Sequence, residues 1–159
     1  MRVITALTGT AGLAALLFGG IGYCYYLEDQ VVTFANHADA VTGGAVRSGV
    51  VPSFVPASAA DIRAVRNIDT DRTWLRFGVP ERDARAMVKR LVPITYGTAL
   101  ASTGKPPRWR GSWPSELRHP PLVTPRGNLG YFRDPAPGSG ARCLAVEWAP
   151  IATVYAWSC

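Results

Sequence analysis

Between Arg2 and Glu28 the chain carries no charged residue: VITALTGTAGLAALLFGGIGYCYYL, 25 residues in all. That run is longer than the roughly 20 residues a helix needs to cross a bilayer. A helix that is apolar all round must be buried on every side. The expectation is therefore an N-terminal transmembrane helix over residues 3–27, an anchor spanning 1–29. Arg2 precedes the run, and Glu28 and Asp29 follow it. The positive-inside rule then leaves the N-terminus in the cytoplasm and the remainder outside, single-pass in the inner (cytoplasmic) membrane. Tyr23, Tyr25 and Tyr26 cluster where an interfacial aromatic belt would sit.

A cleaved signal peptide is the competing reading. Its apolar region is about 7–15 residues long and ends in small residues, whereas here bulky tyrosines close a longer run. Gly20, Gly22 and the Ala38-Asp39-Ala40 triplet are its candidate cleavage signals. Cys24 raises a lipoprotein reading, which Tyr23 opposes because a small residue belongs at that position.

Composition narrows the function classes. Hydrophobic residues make up 48% of the 159 and charged ones 18%, with a net charge of +6. Fifteen of the seventeen basic residues are arginine, a bias that a GC-rich genome also produces. Three cysteines and two histidines are too few and too scattered for a zinc site built from Cys and His. Neither a phosphate-binding loop nor a dinucleotide fingerprint occurs. No cofactor is expected.

Residues 30–49 read as a stalk that loosens at Gly43-Gly44, and residues 50–159 as a small α+β domain outside the cytoplasm. Pro52 and Pro56 make 50–55 extended. Ser58 and Asp61 resemble a capping box, so a two-turn helix should follow, with Ile62 and Val65 on one face, ending near Asn67. The side chains of Asn67, Asp69 and Asp71 suit a turn. Strand 73–79 places Leu75, Phe77 and Val79 on one side and Trp74, Arg76 and Gly78 on the other. A main helix over 81–92 follows, with Ala84, Met87, Val88 and Leu91 at helical spacing. Residues 97–127 form a long loop, and loops of that length are often functional. Strands at 129–133, 141–148 and 153–159 complete an antiparallel meander packed on the 81–92 helix.

The string Pro52, Pro56, Ser58, Ala59, Ile62, then Asn67, Asp69 and Thr70, reads P-x-x-x-P-x-S-A-x-x-I followed by N-x-D-T. It resembles a stretch of small bacterial membrane-anchored envelope proteins. The resemblance implies an envelope location and class, and it brings no activity with it.

Two sets of residues are candidates for a site. The first is the segment KPPRWRGSWPSELRHPPLVTPR, residues 105–126. Lys105, Arg108, Arg110, Arg118 and Arg126 interleave there with Trp109 and Trp113. Guanidinium groups pair with phosphate or carboxylate, and indole stacks on a ring or sits at an interface. The opposing reading makes both tryptophans pins that hold a loop to the core. Nucleic-acid binding uses the same chemistry, but nucleic acid is not expected as a partner at an extracytoplasmic location. The second set is Asp61, Asp69, Asp71 and Glu81, from which a catalytic carboxylate pair could be drawn; the simpler reading is a cap, a turn and a helix N-terminus. His37 and His119 lack the serine context of a hydrolase triad.

The sequence therefore points to a non-enzymatic envelope binding or accessory protein, immunity-type in its sharpest version. It would engage a protein or an anionic envelope component through 105–126. The alternative is an envelope hydrolase acting on a glycan or lipid. Cys143 and Cys159 should form a disulfide in such a compartment. A hairpin folded about Ile151 would set Cys143 opposite Cys159, Leu144 opposite Ser158 and Val146 opposite Ala156.

Overall fold

The computed structural model describes residues 29–103, 113, 117, 127–135 and 141–159. Seven strands form one antiparallel sheet in the order β1-β2-β3-β7-β6-β5-β4. They are β1 (Asp29–Asn36), β2 (Ala60–Asn67), β3 (Thr73–Pro80), β4 (Val92–Pro93), β5 (Leu129–Asp134), β6 (Arg142–Glu147) and β7 (Ile151–Ser158). Three short helices accompany them among the described elements: α1 (His37–Thr42), α2 (Glu81–Val88) and α3 (Tyr96–Thr103). Two meanders, β1-β2-β3 and β5-β6-β7, join side by side through β3 and β7, from Trp74↔Trp157 to Pro80↔Ile151.

Side chains alternate across a strand, and here both faces of the sheet are covered. On one face Ile62, Ala64, Leu75, Phe77, Val79, Leu144, Val146, Val154 and Ala156 pack under α1, the 45–59 segment and α2. On the other, Val65, Trp74, Tyr131, Ala145, Tyr155 and Trp157 pack under Ala99 of α3 and under Trp113 and Leu117. Central strands buried on both sides need apolar residues at nearly every position, which is why β6 and β7 read as almost continuous apolar runs. The split of strand 73–79 into two faces is as its alternation predicts.

The fold class differs from the expected small sheet on one main helix: a seven-stranded antiparallel sheet dominates, and no helix exceeds eight residues among the described ones. No described helix is long and apolar enough to cross a membrane. The expected span over 3–27 lies outside the described residues. The expected stalk instead begins as β1, paired into the sheet edge from Asp29↔Asn67 to Asn36↔Ala60, and continues as α1.

The expected helix after Ser58 is β2. Ile62 and Val65 do not share a helical face; they lie on opposite faces of the sheet, in different core clusters. Asp61, with φ 51°, shifts the register between Ala60 and Arg63, a bulge that disguises the two-residue period. Ser58 caps no helix, and its hydroxyl donates to the Asp83 carboxylate at 2.6 Å. Part of the expected 97–127 loop is helix α3.

Candidate functional site

The register of the sheet assembles a site that no short motif encodes. Arg66 of β2 pairs with Thr73 of β3, and Arg142 of β6 pairs with Ser158 of β7. Thr73 and Ser158 meet across the β3–β7 seam: the Thr73 amide donates to Ser158 Oγ at 3.0 Å, and the two hydroxyls are 3.0 Å apart. The result is one row, Arg66–Thr73–Ser158–Arg142, across four strands at one end of the sheet. These side chains floor a cleft of about 540 Å³, whose rims are Ser48-Gly49-Val50 and the β2–β3 turn with Thr70, Asp71 and Arg72.

Each rim has a local reason for its shape. In the β2–β3 turn, Asn67 Oδ1 accepts from both the amide and the hydroxyl of Thr70, and the Asn67 amide donates to the Arg72 carbonyl. That is the side-chain-to-backbone chemistry expected of the NIDTD string. Asp71 takes the left-handed conformation, φ 51°, that closes the turn. Opposite it, Gly49 has φ 74°, a backbone glycine adopts without cost, and its carbonyl accepts from Arg142 Nη2 at 3.3 Å.

Arg142 is the unusual member. It is only 6% exposed. Its guanidinium donates to Thr73 Oγ1 and to the Gly49 carbonyl, two of five available N–H donors. Among the described residues it forms no ion pair. Burial lowers its pKa from the usual arginine value, while the charges of Asp134 and Asp71 act in the opposite direction; a guanidinium nevertheless stays protonated. Buried charges are ordinarily paired, so this one calls for an anion. Of the Thr73 and Ser158 O–H groups, one is consumed in their mutual contact and one remains to donate.

Arg66 holds Asp71, with Nε 2.9 Å and Nη2 2.7 Å from Oδ1. Arg72 is exposed and pairs with no carboxylate among the described residues. Three arginines and one aspartate give the lining a formal charge of +2.

The residues singled out from the sequence are placed differently. Lys105, Arg108, Trp109, Arg110, Arg118 and Arg126 lie outside the described residues. Trp113 is 2% exposed, with its ring centroid 5.5 Å from that of Tyr155 and 5.8 Å from that of Trp157. It is a core pin, and its ring is not available for stacking from solvent. The four carboxylates do not converge as a set. Asp71 pairs with Arg66 and Glu81 with Arg85. They lie beyond opposite ends of the eight-residue β3, a separation of roughly 25 Å at the rise of an extended strand. Asp61 sits in the β2 bulge and Asp69 in the exposed turn. No cluster of three or more metal-ligating side chains occurs among the described residues.

Sequence reasoning missed Arg66, Arg72 and Arg142. Arg142 left one trace, an arginine heading the apolar run Cys143-Leu144-Ala145-Val146. Its partners Thr73 and Gly49 lie 69 and 93 positions earlier, beyond the reach of any local pattern.

Residues 28–78 match the family model of the YbbD head domain, a small bacterial family. The matched stretch runs from β1 into β3 and includes Arg66, Asp71, Arg72 and Thr73 of the cleft, while Arg142 and Ser158 lie beyond it. No curated protein and no solved structure matches the chain.

Proposed function

We propose that this chain is an extracytoplasmic binding domain that engages an anionic component of the bacterial envelope at the Arg66–Arg72–Arg142 cleft. The observation that carries the reading is Arg142: a buried guanidinium with unused donors and no ion-pair partner among the described residues. Arginine's planar fork suits oxyanions, which it grips through paired N–H donors. The Cys143–Cys159 disulfide supports a location outside the cytoplasm, as does the long uncharged run at residues 3–27. The basic residues of 105–126 would add positive charge to the same protein, but the cleft is where the described side chains converge. A carboxylate-pair hydrolase finds no support in the dispersed positions of Asp71 and Glu81.

The test is binding by the purified full chain in detergent, measured by calorimetry against a panel of phosphate, sulfate, acetate and a neutral sugar. Oxyanions should bind and the neutral sugar should not. Binding should weaken with added salt, because exposed charges are screened beyond about 8 Å at physiological ionic strength. Equal heats for all four ligands would overturn the reading.

A further inference from the structure

The ion pair between Arg66 and Asp71 stands at the mouth of the cleft, and it is open to water: the two side chains are 47% and 74% exposed. Exposed pairs of this kind hold weakly. Arg142, in contrast, is fixed in the floor by Thr73 and Gly49. The Asp71 carboxylate is thus the one anionic group in a lining otherwise made of three guanidiniums, hydroxyls and backbone. Its charge is also felt at Arg142. The φ of 51° keeps it in the turn beside the cleft.

We propose that Asp71 is an internal competitor for the ligand, and that the ligand is a phosphate-type dianion that takes Arg66 from it. The inference rests on the reading of the cleft as an anion site and adds the ligand class and the means of control. Three guanidiniums with one free hydroxyl donor suit a tetrahedral group with several acceptor oxygens. A lining charge of +2, counted from three arginines and Asp71, balances a dianion, whereas a single carboxylate would leave charge over. Arg142 supplies the fixed end of the grip. Arg66 rotates away from Asp71 to close on the ligand, and the exposed Arg72 completes the third side.

The chemistry is shared by a phosphomonoester lipid headgroup and a soluble phosphate, so the experiment has arms for both. Inorganic phosphate is titrated by calorimetry into the full chain in detergent at low ionic strength, with wild type compared to Asp71→Asn. Asparagine tolerates the left-handed backbone at this position, so the turn is kept while the competing charge is removed. Wild type should bind, and Asp71→Asn should bind about two- to five-fold more tightly, the range an exposed ion pair spans. Arg142→Gln should weaken binding roughly ten-fold or more, as for loss of hydrogen bonds to a charged group. Should that variant fail to fold, Arg72→Gln, at an exposed position, serves in its place and should also weaken binding. In the vesicle arm, reconstituted chain is tested for capture of phosphatidic acid vesicles against phosphatidylcholine vesicles. Selective capture, enhanced by Asp71→Asn, identifies the lipid source; phosphate binding without capture identifies the soluble one. Phosphate binding that is unchanged or weakened by Asp71→Asn overturns the competitor role and leaves the anion site standing. An absence of phosphate binding in wild type and in Asp71→Asn overturns both.

Discussion

Cys143 lies opposite Trp157, and its disulfide runs diagonally across the β6–β7 hairpin to Cys159, with Cα atoms 5.7 Å apart. The bridge expected from the sequence is present, but the hairpin register behind it is different. Leu144 pairs with Ala156 and Val146 with Val154, two residues away on β7 from the expected Ser158 and Ala156. A two-residue slip preserves which face each side chain occupies, so both cysteines still point to the same side. The Cys159 amide donates to the Ala141 carbonyl, extending the hairpin to the end of the chain. With the two cysteines sixteen positions apart in sequence, the closed loop should contribute about 3 kcal/mol in the chain-entropy view. Replacing both cysteines by serine should lower the thermal midpoint while retaining the sheet by far-ultraviolet circular dichroism. An unchanged midpoint would show that the bridge adds nothing to stability.

Trp113 makes a second case. Its indole packs on Tyr155 and Trp157 within the core cluster that also holds Ala99 and Leu117. Trp113→Ala should cost about 3–5 kcal/mol, the usual range for a buried aromatic truncated in place. Denaturant unfolding would measure it. A loss below about 1 kcal/mol would mean that the pocket collapses around the missing ring or that the ring is not needed there.

Asp61 tests the bulge that turns a helix-like pattern into a strand. Its φ of 51° is accessible to glycine and tolerated by aspartate or asparagine, and it is costly for a β-branched residue. Asp61→Gly should leave stability nearly unchanged. Asp61→Val should lose about 1–2 kcal/mol by the cost of the left-handed region. Equal stabilities for the two variants would contradict a left-handed residue in β2.

Ser58 and Asp83 give a pH prediction. The Ser58 hydroxyl, bonded to the carboxylate, is the main cause holding Asp83 below the usual aspartate range, with Arg82 adding to it and desolvation opposing. A carboxylate with a depressed folded-state pKa contributes stability that is present above its unfolded value and is lost as pH falls through the folded one. The window is therefore acidic, beginning near the ordinary aspartate value of about 3.9. In a side-chain carboxyl NMR titration, Ser58→Ala should raise the Asp83 midpoint toward that value. No movement would show that the hydrogen bond does not hold Asp83.

Much of the molecule was legible locally. The alternation in 73–79, the turn chemistry of Asn67 and Thr70, the start of α2 after Pro80 and the pairing of Cys143 with Cys159 all follow from short-range patterns or from counting cysteines. The first three depend on backbone geometry and side-chain bonds within a few residues, and the fourth on only two cysteines lying beyond the N-terminal apolar run, so the sequence by itself determines them. Three things were decided only in the tertiary structure. Whether Ile62 and Val65 belong to a helix or a strand depended on β1 and β3 flanking them, because an isolated i, i+3 spacing fits a helical face and a bulged strand alike. Trp113 could serve a ligand or the core until Tyr155 and Trp157 were brought beneath it. The cleft depended most on distance: Arg66, Thr73, Arg142 and Ser158 belong to two separate meanders, and they form a row only because β3 pairs with β7. That pairing is a long-range choice set by burying both faces of the sheet, and no local sequence pattern carries it.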